Sequence, residues 1–333
     1  MRRPLMLPLI PLYAAGLALR ELRLSRGWEP IRRLRNPVIS IGNLSTGGSG
    51  KTPFTITLAR LLSARGFHVD VLSRGYGRSS GEPARVLPHG TAEQYGDEPL
   101  LIAREAGVPV YVAAERYDAG LLAESNTSSD AGSPQAHILD DGFQHRQLSR
   151  DIDILLVNRE DWHDHLLPVG NLRETLNAVR RASALAIPKE DSAFEGELRA
   201  WGWTGPIWRI RRRMEIPQVS GPVVAFCGIA RPSQFFAGLE ADGISLASRV
   251  QFPDHHRYTP RDIEKLIATA RSKAATSFIT TEKDEVRLAS LASAFPSSLP
   301  LKAARLTLTI EDESQVSEWL ACTLRTNQTL QSL

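Results

Sequence analysis

Cysteine is scarce: the 333 residues contain only Cys227 and Cys322, far apart and each beside apolar neighbours. A disulfide framework and a cysteine-based metal site are therefore excluded, and a reducing compartment is the expected setting. Basic charge is equally scarce over most of the chain. The formal net charge is +3, but residues 1–35 hold eight arginines against Glu21 and Glu29, which puts +6 there and leaves −3 for the rest. A surface basic all over, as a nucleic-acid binder needs, is excluded. No long apolar run occurs either. The nearest is Pro4–Leu19, interrupted by Pro8 and Pro11, and about 16 residues at roughly 1.5 Å each fall short of a bilayer core of about 30 Å. No internal repeat is evident.

What the chain does have is enough length and apolar content, 42%, for a sizeable core and two domains. Short apolar runs alternate with helical patterns: "PVISIGN", a helix from Thr52 to about Ala64, "FHVDVLSRG", "VPVYVA", "AHILDD", "IDILLVN" and "ALAIP". Such alternation predicts an α/β fold with a largely parallel sheet. The stretch "ESNTSSDAGSPQ" at 124–135 reads as an exposed, mobile spacer. The pattern restarts at "GPVVAFCGIA", with helices near Pro232, from Pro260 and from Asp312 and strands at "TSFITTEKD" and "KAARLTLTI". The expected division is a basic, apolar N-terminal helix over 1–35, a P-loop core over 36–210 and a smaller α/β unit over 211–333.

The N-terminal segment has the outline of a secretory signal, Met1-Arg-Arg before an apolar run. A nucleotide site downstream argues against export. An interfacial helix, held by apolar burial and by attraction of its arginines to anionic head groups, accounts for the same residues.

That nucleotide site is "IGNLSTGGSGKTP" at 41–53. A phosphate cradle needs a strand, then a glycine-rich turn whose N–H groups point at phosphate oxygens, then a lysine for the outer phosphates and a hydroxyl for Mg²⁺. Gly47, Gly48, Gly50, Lys51 and Thr52 supply these, with Thr46 and Ser49 completing the loop; Ser45 stands where the strict pattern has its first glycine. The crowded part of the loop is 47–50, so the serine is compatible with binding. A second strand, "HILDDGFQH", ends in Asp140 and Asp141, where open α/β sheets place ligands, and a carboxylate there can hold Mg²⁺.

Together with "SRGYGR" at 73–78, "GDEP" at 96–99, "DDGFQHRQLSRDIDILLV" at 140–157, "PVGNLRE" at 168–174, "FPDHH" at 252–256 and "TTEKDEVR" at 280–287, the loop belongs to a set of motifs that runs through most of the chain. In these the chain resembles the tetraacyldisaccharide 4'-kinase family of lipid A biosynthesis. The resemblance implies a P-loop α/β core and a smaller α/β domain with the active site between them. It also implies transfer of the γ-phosphoryl group of ATP to the 4'-hydroxyl of tetraacyldisaccharide 1-phosphate, giving a tetraacylated lipid A precursor (lipid IVA), by an enzyme held peripherally at the cytoplasmic face of the inner membrane.

By the same resemblance Asp97 is the catalytic base, assisted by His255, the first histidine of "DHH", and Glu174 shares the metal with Thr52, Asp140 or Asp141. Lys51 stabilises charge between the β- and γ-phosphates, Arg173 clamps a phosphate, and Arg74 and Arg78 meet the acceptor's 1-phosphate. Lys283 is given no role; pairing with a carboxylate explains it equally well. The competing reading is a membrane-recruited P-loop ATPase or GTPase switch. It has no use for "GDEP" and "DHH".

Overall fold

The computed structural model describes residues 3–48, 50–126 and 134–331. Most of the expected spacer, 127–133, and Ser49 of the phosphate loop lie outside the described residues. In chain order the elements are α1 (Ile10–Ser25, preceded by a 3₁₀ turn at Pro4–Leu9), β1 (Val38–Asn43), α2 (Lys51–Ala64), β2 (His68–Ser73), β3 (Ala84–Arg85), α3 (Ala92–Tyr95), α4 (Asp97–Glu105), β4 (Val110–Val112), α5 (Arg116–Asn126), β5 (Gln135–Leu139) and β6 (Ile152–Leu156). There follow α6 (Arg159–Trp162), β7 (Ala184–Pro188), α7 (Ser192–Ala200), β8 (Ile207–Glu215), β9 (Val223–Cys227), α8 (Pro232–Ala241), β10 (Leu246–Gln251), α9 (Pro260–Ser272), β11 (Ser277–Thr281), α10 (Glu282–Leu288), β12 (Leu301–Ile310) and α11 (Glu313–Gln331).

Among the described residues all twelve strands join one sheet, in the order β10-β9-β11-β12-β8-β7-β6-β1-β5-β2-β4-β3. The sheet crosses the expected 210/211 boundary, which falls inside β8. That strand was not expected: "IWRIRRRME" carries four arginines. Its alternation is nevertheless that of a half-buried strand, with Trp208 and Ile210 buried and Arg209, Arg211 and Arg213 exposed. The main core follows the sheet across the same line, packing Ile41, Phe54 and Leu58 in one cluster with Ile210, Val286, Leu308 and Leu320. Each such side chain, fully buried, contributes roughly 1.5–3 kcal/mol.

Pairing is parallel except for β3 on β4 and β8 on β12. Strand polarity therefore reverses between β8 and β12. Six neighbour steps separate β1 from β9, and a twist of roughly 20–25° per step accumulates to about 120–150°. Two sets of opposite polarity are thereby turned back towards a common direction. The residues just past the ends of β1, β2 and β5 share a cleft with those past β9, β10 and β11.

The N-terminal helix stops at Ser25, short of the expected residue 35, but it outlasts the apolar run Pro4–Leu19. Pro11 occupies the first turn of α1, where a missing N–H costs nothing, so the helical stretch runs on from Leu5 to Ser25. These 21 residues have a mean hydropathy of 1.4 in their best window, none of it buried, and are long and apolar enough to cross a membrane. Most of their large apolar side chains are bare, Leu5 being 94% and Leu12 72% exposed, while Leu24 is buried. Polar contacts tie the helix to the body: Tyr13 Oη donates to the Arg173 carbonyl at 2.9 Å, Arg20 donates to the Gln144 carbonyl, and Glu21 pairs with Arg146.

Candidate active site

The cleft measures about 1060 Å³ and takes its walls from both halves of the sheet. The phosphate loop lies between β1 and α2, with Gly50 at φ 85° as the residue before the helix. A left-handed backbone there suits glycine, and it aims the first N–H groups of α2 into the cleft. Lys51 Nζ donates to Asn43 Oδ1 at 3.0 Å and lies 3.5 Å from Asp141 Oδ1. Thr46, Gly47, Gly48, Gly50, Lys51 and Thr52 all line the cleft; Ser45 does not. Ser45 is fully buried, and its hydroxyl donates to Asp161 Oδ2 at 2.7 Å while accepting from Asn43 Nδ2 at 3.0 Å. The residue that departs from the glycine pattern is thus a fastening under the loop.

Asp140 and Asp141 follow β5 on the same wall, Asp140 accepting from Thr55 Oγ1 at 3.0 Å. Burial raises the Asp140 carboxyl above its usual range, and the charges of Glu98 and Asp141 add to this. Asp141 goes the other way. Burial would raise it, but Lys51 and Arg173 hold it low, with Arg173 Nη1 at 3.2 Å. Glu98, Asp140 and Asp141 thus line the same cleft as Thr52.

Of the other expected groups, Arg74 and Arg173 line the cleft, whereas Arg78 and Glu174 do not. Arg78 closes its own loop by donating to the Glu82 carbonyl at 2.8 Å. Glu174 accepts from Arg181 at 2.7 Å.

Asp97 opens α4, and its neighbours come from the opposite half. Its Oδ2 accepts from Arg287 Nε at 2.7 Å and from His255 Nδ1 at 3.1 Å, while its Oδ1 accepts from the Glu98 N–H at 3.0 Å. Burial works against the charged form, yet the His255 hydrogen bond and the Arg287 guanidinium outweigh it and hold Asp97 well below the usual carboxylate range. The His255 imidazole is raised by the same hydrogen bond, burial opposing. It is His255, with a ring centroid 5.2 Å from that of Tyr76, that forms the cleft wall; the carboxylate sits behind it at 5% exposure. The two histidines of "DHH" part company here, since His256 stacks on Phe252 and binds Asp262 at 3.1 Å. His255 and Asp141 both adopt positive φ, 55° and 48°. Such backbone is uncommon outside glycine and clusters at functional sites.

Several lining residues carried no individual signal in the sequence: Arg116, Arg212, Arg231 and Arg287, with Glu98, which pairs with Lys283 at 2.5 Å. Of these, Glu98 lay in the motif "GDEP" and Lys283 and Arg287 in "TTEKDEVR", but none had been given a role. His145 is pushed down to about 4 by burial and the surrounding arginines, Arg116 first among them, so the wall is positive where neutral imidazole meets guanidinium.

Known proteins match this chain over nearly its whole length. A model of the tetraacyldisaccharide-1-P 4'-kinase family matches residues 2–325. A tetraacyldisaccharide 4'-kinase of Koribacter versatilis is 42% identical over 316 residues, covering 92% of this chain and 94% of that protein. The one from Desulfotalea psychrophila is 35% identical over 331 residues, 92% of each. Among solved structures, LpxK from Aquifex aeolicus in complex with ATP is 33% identical and superposes with a TM-score of 0.73 over 96% of this chain and 98% of that one. In sequence from end to end, and in the way its halves enclose a phosphate loop, the chain belongs to the tetraacyldisaccharide-1-P 4'-kinase family.

Proposed function

We propose that the protein transfers the γ-phosphoryl group of ATP to the 4'-hydroxyl of a tetraacyldisaccharide 1-phosphate, with Mg²⁺, while seated peripherally on the cytoplasmic face of the inner membrane. One observation carries the reading: a phosphate loop with Lys51 and His255, which Asp97 backs, share one cleft, so phosphoryl donor and proton acceptor are provided together.

Phosphoryl transfer is mostly a matter of position and charge neutralisation. Lys51 meets the outer phosphates. Thr52, Asp140 and Asp141 suit Mg²⁺, because burial first and the charges of Glu98 and Asp141 next raise the Asp140 carboxyl, a cost that a cation there offsets. Among the described residues no group of three or more His, Cys, Asp or Glu forms a cage; Mg²⁺ characteristically relies on one or two carboxylates plus phosphate oxygens and water. When bound, the ion neutralises charge on the triphosphate. Glu174, held by Arg181, has no part in this assignment. Arg74 and Arg173 remain as anion contacts for the lipid head group or the phosphates.

The proton is handled by the dyad. With Nδ1–H donated to Asp97, the imidazole takes the acceptor hydroxyl's proton at Nε2. Asp97 stabilises the imidazolium and fixes the ring. The expected order, Asp97 as base and His255 as assistant, is thereby reversed. Both oxygens of Asp97 are already engaged.

The bare apolar side chains of α1 and its flanking arginines are the membrane contact. The bonds of Tyr13, Arg20 and Glu21 to the body favour a helix lying along the protein over one that crosses the bilayer. They also bring the membrane contact to the mouth of the cleft, since Arg20 lines it.

The test is incubation of purified protein with γ-labelled ATP, Mg²⁺ and tetraacyldisaccharide 1-phosphate in detergent. Label is expected in the lipid; ATP hydrolysis without it supports a switch instead. Deleting residues 1–24 is expected to move the protein from the membrane to the soluble fraction, and unchanged sedimentation with membranes overturns the role given to α1.

A further inference from the structure

Along β8 the inward positions are Trp208, Ile210, Arg212 and Met214. An arginine therefore stands at a register point where the strand otherwise presents apolar side chains to the core. The alternation turns its guanidinium inward, over the phosphate loop. A Cβ built on Gly50 lies 3.0 Å from Arg212 Nε, 3.1 Å from Cζ and 3.2 Å from Nη2, so the missing side chain of that glycine is what makes room for the guanidinium. A second arginine approaches the same loop. Arg231, the residue before α8, has its Nε 3.9 Å from a Cβ built on Gly47. Its Nη2 lies 3.3 Å from Asp161 Oδ1 and its Nη1 3.4 Å from Glu160 Oε2. Asp161 is the residue that Ser45 fastens from below.

Two guanidiniums are therefore brought over one run of backbone N–H donors. Like charges held together in a half-buried place repel one another, and Arg212 is lowered by burial first and by Arg231 next. An anion between them and the loop relieves both. Guanidinium is the cation whose planar fork suits phosphate oxygens.

We propose that Arg212 and Arg231 are a phosphate clamp, delivered from the C-terminal half onto a nucleoside di- or triphosphate held by the loop, with Arg212 on the β-phosphate. The transferred phosphoryl group lies towards Lys51, Asp141 and His255, and the clamp holds the part of the nucleotide that stays behind. This rests on the nucleotide reading of the loop and is independent of which acceptor is used.

The experiment is calorimetric titration of the full chain with ADP and with AMP, with no lipid and no turnover. Arg212→Met keeps the stem and removes the charge. It is expected to weaken ADP at least tenfold and AMP less than threefold, with the melting temperature of the nucleotide-free protein unchanged. Arg212→Lys is expected to recover part of the loss, and Arg231→Ala to weaken ADP in the same selective way. ADP binding unchanged in both Arg212→Met and Arg231→Ala overturns the clamp. Loss of ADP and AMP by one common factor also overturns it, since that marks damage to the loop. A wild-type chain that binds no ADP overturns the nucleotide reading, and the clamp with it.

Discussion

Replacing Asp97 by asparagine is expected to lower turnover by roughly 10²–10⁴-fold, the usual worth of a positioned proton acceptor, and to move the pH–rate profile. The sign follows from the geometry. The hydrogen bond that His255 donates to Asp97 raises the imidazole above its ordinary value, against burial. The base form is the neutral ring, so activity is full above that raised value and falls as pH drops through it. In Asp97→Asn the ring returns towards about 6.5, and the acid limb shifts to lower pH while the ceiling of the rate drops. His255→Gln removes the limb. The profile of kcat/KM for the free enzyme reads this directly. A wild-type acid limb below pH 5, unmoved by changes at His255, would assign the proton to a carboxylate and restore the order of roles that the sequence suggested. Melting curves separate chemistry from packing, because the asparagine also weakens a partner of Arg287, only 6% exposed, which then relies on Asp284 at 3.0 Å.

Lys51→Met is expected to cut kcat by about 10²–10³-fold, comparable with loss of one preorganised donor to transition-state charge, with a smaller change in ATP affinity. The lysine is held by Asn43 at 3.0 Å and faces Asp141 at 3.5 Å, so it is fixed in place before any nucleotide arrives. That arrangement serves charge that develops during transfer. Steady-state kinetics with both substrates varied decides the matter. A tenfold rise in KM for ATP at unchanged kcat would show that Lys51 binds ground state and transition state equally.

The phosphate loop was legible because its chemistry is local: strand, glycines, lysine and hydroxyl fall within 13 residues. Asp140 and Asp141 were legible for the same reason, at the end of an apolar run. Other parts were hidden because they are made by distance. Ser45 looked like a blemish in a pattern, and its purpose depends on Asp161, 116 residues away. Arg212 was one of four arginines in nine residues. Its significance comes from strand parity, which places it on the inner face while its neighbours pair outward with Glu190 and Glu195. Asp97 was recognisable as a motif residue, but the charges that surround it, Arg287 and His255, come from the other half of the chain. Composition misled at β8 as well, since so basic a segment does not read as part of a sheet.

The reversal of polarity between β8 and β12 also sets how the two sides of the cleft can move. They meet along a six-pair antiparallel ladder from Ile210–Ile310 to Glu215–Arg305, and hydrogen bonds of that kind resist being slid or pulled apart. What they permit is torsion, a change of a few degrees in the twist between neighbouring strands. Small rotations add along a sheet, so the loops bearing His255 and Arg231, away from the seam, are expected to shift more than the seam itself. Closure on a substrate is accordingly expected to be a wringing of one continuous surface, with the ladder as its torsion spring.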